Sequence, residues 1–577
     1  MKLSLFQNKI SIHLDPSENF VKLQDHTTFN LCYECIRGDY TVPYVSLPIL
    51  LNVAKKIGYP VQISPTLKKF YQDKTSKRQL LERIKDMPTM GEEIPEEIRS
   101  TIYSIQKKHG FSLMPGQDVS VAYIMLGKRV IIANDIGTGK TIVVNTAHKC
   151  LKELGHIKKT LVMLPAALVK NYTEDYIKFF GKHGILHINK TDNKKKRIEK
   201  YHQFVVNPMI EMIVINYDKC NFDYKEIQKL NPDMLIVDEF HNMKNFLFAT
   251  RSQNFFDLVI NFWKPLYRVP MSGTPVENQL FDLYPIFKLI DGGHILGGQK
   301  FFQTNFIKYE DVSFRFWSRM MNRYVVKTES KAKGFKNDDY LHKLIKPMII
   351  RKKLRLKVDL YPTDIFIDPS KEMLKCYDDV KLEHKGNASA GYHAARQFLC
   401  DTSRGKYKEN PKLEKFQEIL EQTDEKIVVF SFYKCTIRML EEYLSNIGQK
   451  CFKITGDEKE DALTVIQQFK NSDRRFLLCT DKVNFGHNIQ FCRYMVQWEK
   501  PFKPTTEEQR IGRLYRTGQE NDVHVYSFIV NDTVEEKIHE QFLLKKEVIQ
   551  TVVETLNDKE MQKIEAEIEK AVMKEFS

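Results

Sequence analysis

No run of apolar residues approaches the roughly 18 needed to cross a bilayer, so the sequence does not read as a membrane-spanning protein. Cysteine is sparse, with 10 in 577 residues and no framework of spaced pairs, which excludes a disulfide-stapled scaffold. Cys32 and Cys35 in "CYEC" have the spacing of zinc ligands, yet no second pair follows at a suitable distance, and a plain structural role is the better reading. The opening "MKLSLFQNKISIHL" lacks an apolar segment with a cleavage site. An intracellular, reduced, cytoplasmic protein is expected. Glycine (25) and proline (21) are too few for long disordered tracts, and no solenoid-length repeat is found.

What is present is 42% hydrophobic and 11% aromatic content, enough for sizeable cores in three or four domain-sized units. A net charge of +15 favours a polyanionic partner, because Lys and Arg that neutralise phosphates release condensed counterions. A merely basic enzyme is the competing reading.

Short apolar segments ending in polar or Gly/Pro punctuation predict strands of parallel sheets. One series is "KTLVMLP" (159–165), "MIVINY" (212–217), "DMLIVDEF" (233–240) and "YRVPMSGTP" (267–275). A second is "EKIVVFSFY" (425–433), "KCFKITG" (450–456), "RFLLCTD" (475–481), "RYMVQWE" (493–499) and "DVHVYSFIV" (522–530). Segments of helical length separate them, so an α/β fold with two doubly wound, nucleotide-binding lobes is predicted. The expected division is a small accessory region over 1–100, a first lobe over 101–275, a helix-rich basic insertion over 276–410, a second lobe over 411–533 and a helical brace over 534–577. Val534, Ile538 and Phe542 recur at four-residue spacing, the pattern of an amphipathic helix packing back on a lobe.

Three elements carry chemistry. In "NDIGTGKT", Gly137 and Gly139 let backbone N–H groups approach phosphate oxygens, Lys140 can reach the β and γ phosphates, and Thr141 can hold Mg²⁺. Asp135 and Thr138 complete the loop, and Asn134 replaces the first glycine of the strict pattern. A glycine-softened turn is the bland alternative. "LIVDEFH" ends an apolar strand with Asp238 and Glu239, one carboxylate for Mg²⁺ and one to polarise the attacking water. Read alone, such a strand end is more often solvated surface. "EEQRIGRLYRTGQ" carries Gln509, Arg513 and Arg516 at helical spacings of four and three, which predicts one shared helix face. An arginine finger is preferred there over a DNA-gripping face.

Together these residues resemble the Snf2 family of superfamily 2 DNA translocases over roughly 110 to 545. "LMPGQ" is similar to L-R-P-Y-Q, "NDIGTGKT" to D-E-x-G-x-G-K-T, "LPAALVKNY" to P-x-S-L-x-x-N-W, and "VDEFHNMKN" to D-E-A-H-R-x-K-N. "MSGTPVENQLFDLYPIF" resembles T-G-T-P-x-x-N-x-x-x-E-L-x-x-L, "CTDKVNFGHNIQ" resembles S-T-x-A-G-G-x-G-L-N-L, and "QRIGRLYRTGQ" resembles Q-A-x-x-R-x-x-R-x-G-Q. Val483, Asn484 and His487, and the pair Phe502-Lys503 in place of Trp-Asn, depart from the pattern without removing a catalytic group. The resemblance implies two RecA-like lobes with ATP and Mg²⁺ between them, Gln117 as the adenine reader, Glu239 orienting water, and Arg513 and Arg516 stabilising transition-state charge. It also implies a compact bacterial or phage-type member, monomeric, in a bacterial or infected host cell.

The function so implied is an ATP-driven translocase on duplex DNA that remodels branched DNA or displaces bound protein in replication, recombination or repair. A strand-separating helicase and a non-catalytic DNA-binding scaffold are the alternatives. Double-stranded or branched DNA is the expected partner. No chromodomain, bromodomain, RING-type cysteine array or nuclease motif is recognised. The run "NKKKRIEK" (193–200) is as well explained by a solvated loop as by DNA contact.

Overall fold

The computed structural model describes residues 1–543 except 7, 16–17, 19, 28–33, 37–38, 190, 244–248, 273–282, 319–322, 353, 355, 385–387, 406, 458–461, 482–487 and 541. The chain divides into two compact units, Met1–Asp135 with Gly139–Lys353, and Leu354–Ser577 with Ile136–Thr138.

The first unit opens with a five-stranded sheet of β1 (Lys2–Phe6), β2 (Lys9–His13), β3 (Glu34–Ile36), β4 (Asp39–Pro43) and β5 (Gln62–Ile63), in the order β3-β4-β2-β1-β5. A 21-residue helix, Pro65–Lys85, follows, its first turn capped by Ser64, whose Oγ accepts from Leu67 N at 3.2 Å. The principal sheet comprises β6 (Ile131–Ile132), β7 (Thr160–Leu164), β8 (Ile185–His187), β9 (Met212–Asn216), β10 (Met234–Asp238), β11 (Tyr267–Met271) and, after a long excursion, β14 (Ile349–Ile350). Its order is β14-β6-β11-β10-β7-β9-β8, and every pairing is parallel. β7, β9 and β11 are buried along their whole length, as strands covered on both faces are, and Arg268 within β11 donates to the carbonyls of Pro265 and Leu289.

The excursion contains a ribbon of two long antiparallel strands, β12 (Ile307–Ser318) and β13 (Arg323–Phe335). "KTESKAKGF", placed in a helix-rich stretch by composition, is therefore strand. Cross-strand pairing between these two successive segments overrides local propensity here. Within 276–410, β14 completes the first unit's sheet, while β15 (Leu360–Ile367) joins the second's.

The second unit's sheet adds β16 (Ile427–Phe430), β17 (Cys451–Ile454), β18 (Phe476–Cys479), β19 (Tyr494–Gln497) and β20 (Val523–Val530) to β15, in the order β15-β20-β19-β16-β18-β17, again wholly parallel. Its two faces bury separate cores, one around Trp498, Phe416 and Phe398, the other around Phe430, Leu477 and Leu514. Residues 534–540 are helical, and Val534, Ile538 and Phe542 are all buried, as their spacing predicts. Two RecA-like α/β lobes are thus present. Among the described residues no helix is long and apolar enough to cross a membrane. Cys32 lies outside the described residues, as does the side chain of Cys35.

Candidate functional site

The phosphate loop leaves β6 and turns into the helix Lys140–Glu153. Gly137 (φ 84°) and Gly139 (φ 76°) both lie in the left-handed region, which side chains with a Cβ rarely adopt. A larger residue at Gly139 would also have to displace the Gln117 side chain. A Cβ there would stand 2.7 Å from Gln117 Nε2. Gln117 begins the helix Gln117–Gly127 and is buried, and its Oε1 accepts from Met114 N at 2.8 Å. The proposed adenine reader is therefore fixed against the phosphate loop. Lys140 arches back over that loop, its Nζ donating to the carbonyls of Asn134 (2.8 Å) and Asp135 (3.2 Å). Thr138 is buried and Thr141 is half-buried in the helix's first turn, where backbone N–H groups lack intrahelical partners.

Asn134, the departure from the glycine pattern, has a structural task. Its Oδ1 accepts from Lys352 N at 2.9 Å, and its Nδ2 donates to Ser120 Oγ at 3.4 Å. Asp135 is held by the same distant segment, its N donating to Lys352 O at 3.0 Å and its Oδ1 accepting from Arg351 Nε at 3.1 Å. Nothing in the local sequence signals Arg351 or Lys352, because β14 reaches the loop across more than two hundred residues. Lys352 Nζ donates in turn to Lys85 O and Met87 O, both at 2.7 Å, at the end of the helix Pro65–Lys85.

Asp238 ends β10, and only β11 separates that strand from β6, so the acidic pair and the phosphate loop share the carboxyl edge of one parallel sheet. Ligands of open α/β sheets bind at this edge. Asp238 Oδ1 accepts from Glu239 N at 3.0 Å, and the buried Tyr217 hydroxyl donates to the Asp238 carbonyl. Glu239 has φ 50°, a left-handed conformation that costs a residue with a Cβ. Of the "SGTP" element beyond β11, Gly273, Thr274 and Pro275 lie outside the described residues, as do Lys244, Val483, Asn484 and His487.

In the second unit one expectation is corrected. The helix bearing Gln509 runs only from Pro504 to Ile511, and Arg513 and Arg516 lie on the turns beyond it, so the three share no helix face. Gly512 occupies the C-cap, and Ile489 N donates to the Arg513 carbonyl at 3.1 Å, so that carbonyl is bonded outside any helix. Arg513 is buried, and Arg516 Nη1 donates to Asn488 Oδ1. Gln519 closes the segment, its Nε2 bonding Cys492 O (2.9 Å) and Leu514 O (3.2 Å). Sequence reasoning also missed Arg510, which is 0% exposed. It stands at the alanine position of the quoted motif, a departure that could have marked it.

Two wholly parallel sheets, one carrying a glycine-lysine phosphate loop beside an acidic strand end, are the features of a helicase-like ATPase. The chain belongs to the SNF2 family: the SNF2-related domain matches residues 60–412 and the helicase conserved C-terminal domain matches residues 411–518. It is similar to the uncharacterized ATP-dependent helicase YqhH of Bacillus subtilis (24% identical, covering 74% of this chain and 77% of the relative). It is also similar to the putative ATP-dependent helicase/translocase YwqA of the same organism (24%, 82% and 51%) and to the DNA repair and recombination protein RAD54B of Gallus gallus (21%, 77% and 54%). The chain thus spans about half the length of the latter two. The Sulfolobus solfataricus SWI2/SNF2 ATPase core in complex with dsDNA is 19% identical, with 80% of this chain and 97% of that one covered at a TM-score of 0.36.

Proposed function

We propose that the protein couples ATP hydrolysis to movement along duplex DNA and thereby remodels branched DNA or displaces bound protein. The observation that carries the ATPase half is the cradle in which Gln117 and Lys140 close on a loop whose two glycines both have left-handed backbone. The DNA half draws on the relatives named for helicase, translocase and repair activities, and on the net charge of +15.

In this reading Gln117 orients the base, and the N–H groups of residues 137–141 with Lys140 hold the phosphates. Lys140 exchanges its bonds to two loop carbonyls for the nucleotide's oxygens. Glu239 orients the attacking water and accepts its proton, while Tyr217 and the Asp238 carboxylate fix the strand end on which it sits. Gln509, Arg513 and Arg516 act on the transferred phosphoryl group, where positive charge matters most as negative charge develops. Mg²⁺ neutralises phosphate charge when bound, and the hydroxyl of Thr141 and the carboxylate of Asp238 are the hard oxygen donors that would hold it.

The test is a panel of ATPase rates on single-stranded, duplex, forked and four-way DNA, run beside triplex and strand displacement. Duplex-stimulated turnover with triplex displacement and no strand separation is expected. Strand separation would favour the helicase reading, and turnover indifferent to DNA would overturn both.

A further inference from the structure

Arg510 is the most deeply enclosed cation near the arginine segment, and its surroundings are polar rather than merely packed. Its Nε donates to Asp481 Oδ1 at 2.7 Å, and its Nη1 donates to Gln497 Oε1 at 3.2 Å and to the Glu499 carbonyl at 3.4 Å. Its guanidinium lies 5.5 Å from the centre of the Phe430 ring. One side chain thus gathers the carboxyl ends of β16, β18 and β19. Gln497 is buried as well and is locked by its own bonds to Glu507 Oε1 and Ser527 Oγ, both at 3.1 Å. Removing a guanidinium from water costs several kcal/mol, roughly, and an apolar residue of similar volume would fill the space without that penalty. What the charge adds is a directional, planar anchor.

We infer that Arg510, through Asp481, is a positioning residue that sets Arg513 and Arg516 in their working places. The helix ends at Ile511, so the chain carrying both arginines has no helical frame of its own. It is held instead by Arg510 at its start, by Leu514 packed in the core between the two arginines, and by Gln519 at its end. Slack at the first anchor would leave the arginines charged and present but displaced, and an error of an ångström in a charge-stabilising group lowers turnover without changing ground-state binding.

This inference rests on the proposed role of Arg516, and the experiment separates the two. Arg510→Met, Asp481→Asn, their double variant and Arg516→Ala are compared in the full chain for kcat and ATP KM at saturating duplex DNA, with kcat normalised to bound-nucleotide stoichiometry. Arg510→Met and Asp481→Asn should each lower normalised kcat by roughly 10- to 100-fold with KM changed less than about threefold, and the double should be no worse than the more damaging single. Should Arg510→Met fail to fold, Asp481→Asn decides alone, since Asp481 is 25% exposed and tolerates the change. Wild-type kcat in Asp481→Asn beside a severe loss in Arg516→Ala overturns this inference only. Wild-type kcat in Arg516→Ala overturns the arginine reading on which it stands. Additive losses in the double would show two independent structural effects and would also overturn it.

Discussion

Arg516 offers the sharpest contrast between two chemistries. As a group acting on the transferred phosphoryl, Arg516→Ala should leave ATP and DNA affinities within a few fold while lowering kcat by roughly 10³. As a DNA contact, it would instead lower the slope of log K against log salt by about 0.7 to 0.9, with ATPase restored at saturating DNA. A second residue tests the scaffold beneath the phosphate loop. Glu211 carries His148 Nε2 at 3.5 Å and Lys149 Nζ at 2.8 Å, both from the helix that starts at the loop. Burial opposes its charge, but these partners outweigh burial and hold its carboxyl down at about 2. A lowered acid contributes stability that is fully present above the ordinary carboxylate range and is lost as pH falls toward 2. Glu211→Gln should therefore cost about 1–3 kcal/mol at pH 7, and the gap to wild type in urea unfolding should close between pH 4.5 and 2. A gap that persisted at the acid end would show that the pairing contributes nothing.

The helix Pro65–Lys85 shows why the first hundred residues cannot be treated as detachable. Arg78 Nη2 donates to the carbonyls of Lys343 (2.6 Å) and Leu344 (2.8 Å), and Lys85 Nζ donates to Lys346 O at 3.1 Å. Each such bond from a cation contributes roughly 1.5–3 kcal/mol, and the buried Leu81 and Ile84 add about 2 kcal/mol apiece. That total is comparable to the whole stability of a domain. Deleting residues 1–100 should abolish the cooperative melt of the first unit in circular dichroism; a soluble fragment with a sharp transition would refute the accounting. The same element marks where the sequence stopped being readable. β7, β9, β10 and β11, and later β16 to β20, were legible because each is a mostly apolar run between polar breaks. β8 and β14 span only three and two residues, too short to show any period. β15 contains Pro362, which interrupts the pattern, yet as the edge strand it needs ladder bonds on one side only. Charge spacing misled at Arg513 and Arg516, since a spacing of three or four places residues on one face only while the helix lasts.

At the scale of the molecule, a net charge of +15 should make DNA binding steeply salt-dependent. Raising salt from about 50 to 200 mM should weaken duplex affinity by roughly 10² or more if several phosphates are neutralised. Fluorescence anisotropy across that range checks this, and a flat response would mean that the charge faces something other than DNA. The residues proposed as catalytic stand out in the sequence because phosphate and carboxylate chemistry needs particular residue types close together. What holds them was hidden because it arrives from elsewhere in the chain, and that has a consequence during synthesis. Asn134 waits for Lys352, 218 residues downstream. At roughly 5–20 residues per second, a ribosome delivers that partner some 10 to 45 s after the glycine loop has been made. Until then the nascent chain carries a complete nucleotide-binding motif without the segment that shapes it. The loop thus takes its final shape only as synthesis of the first unit ends.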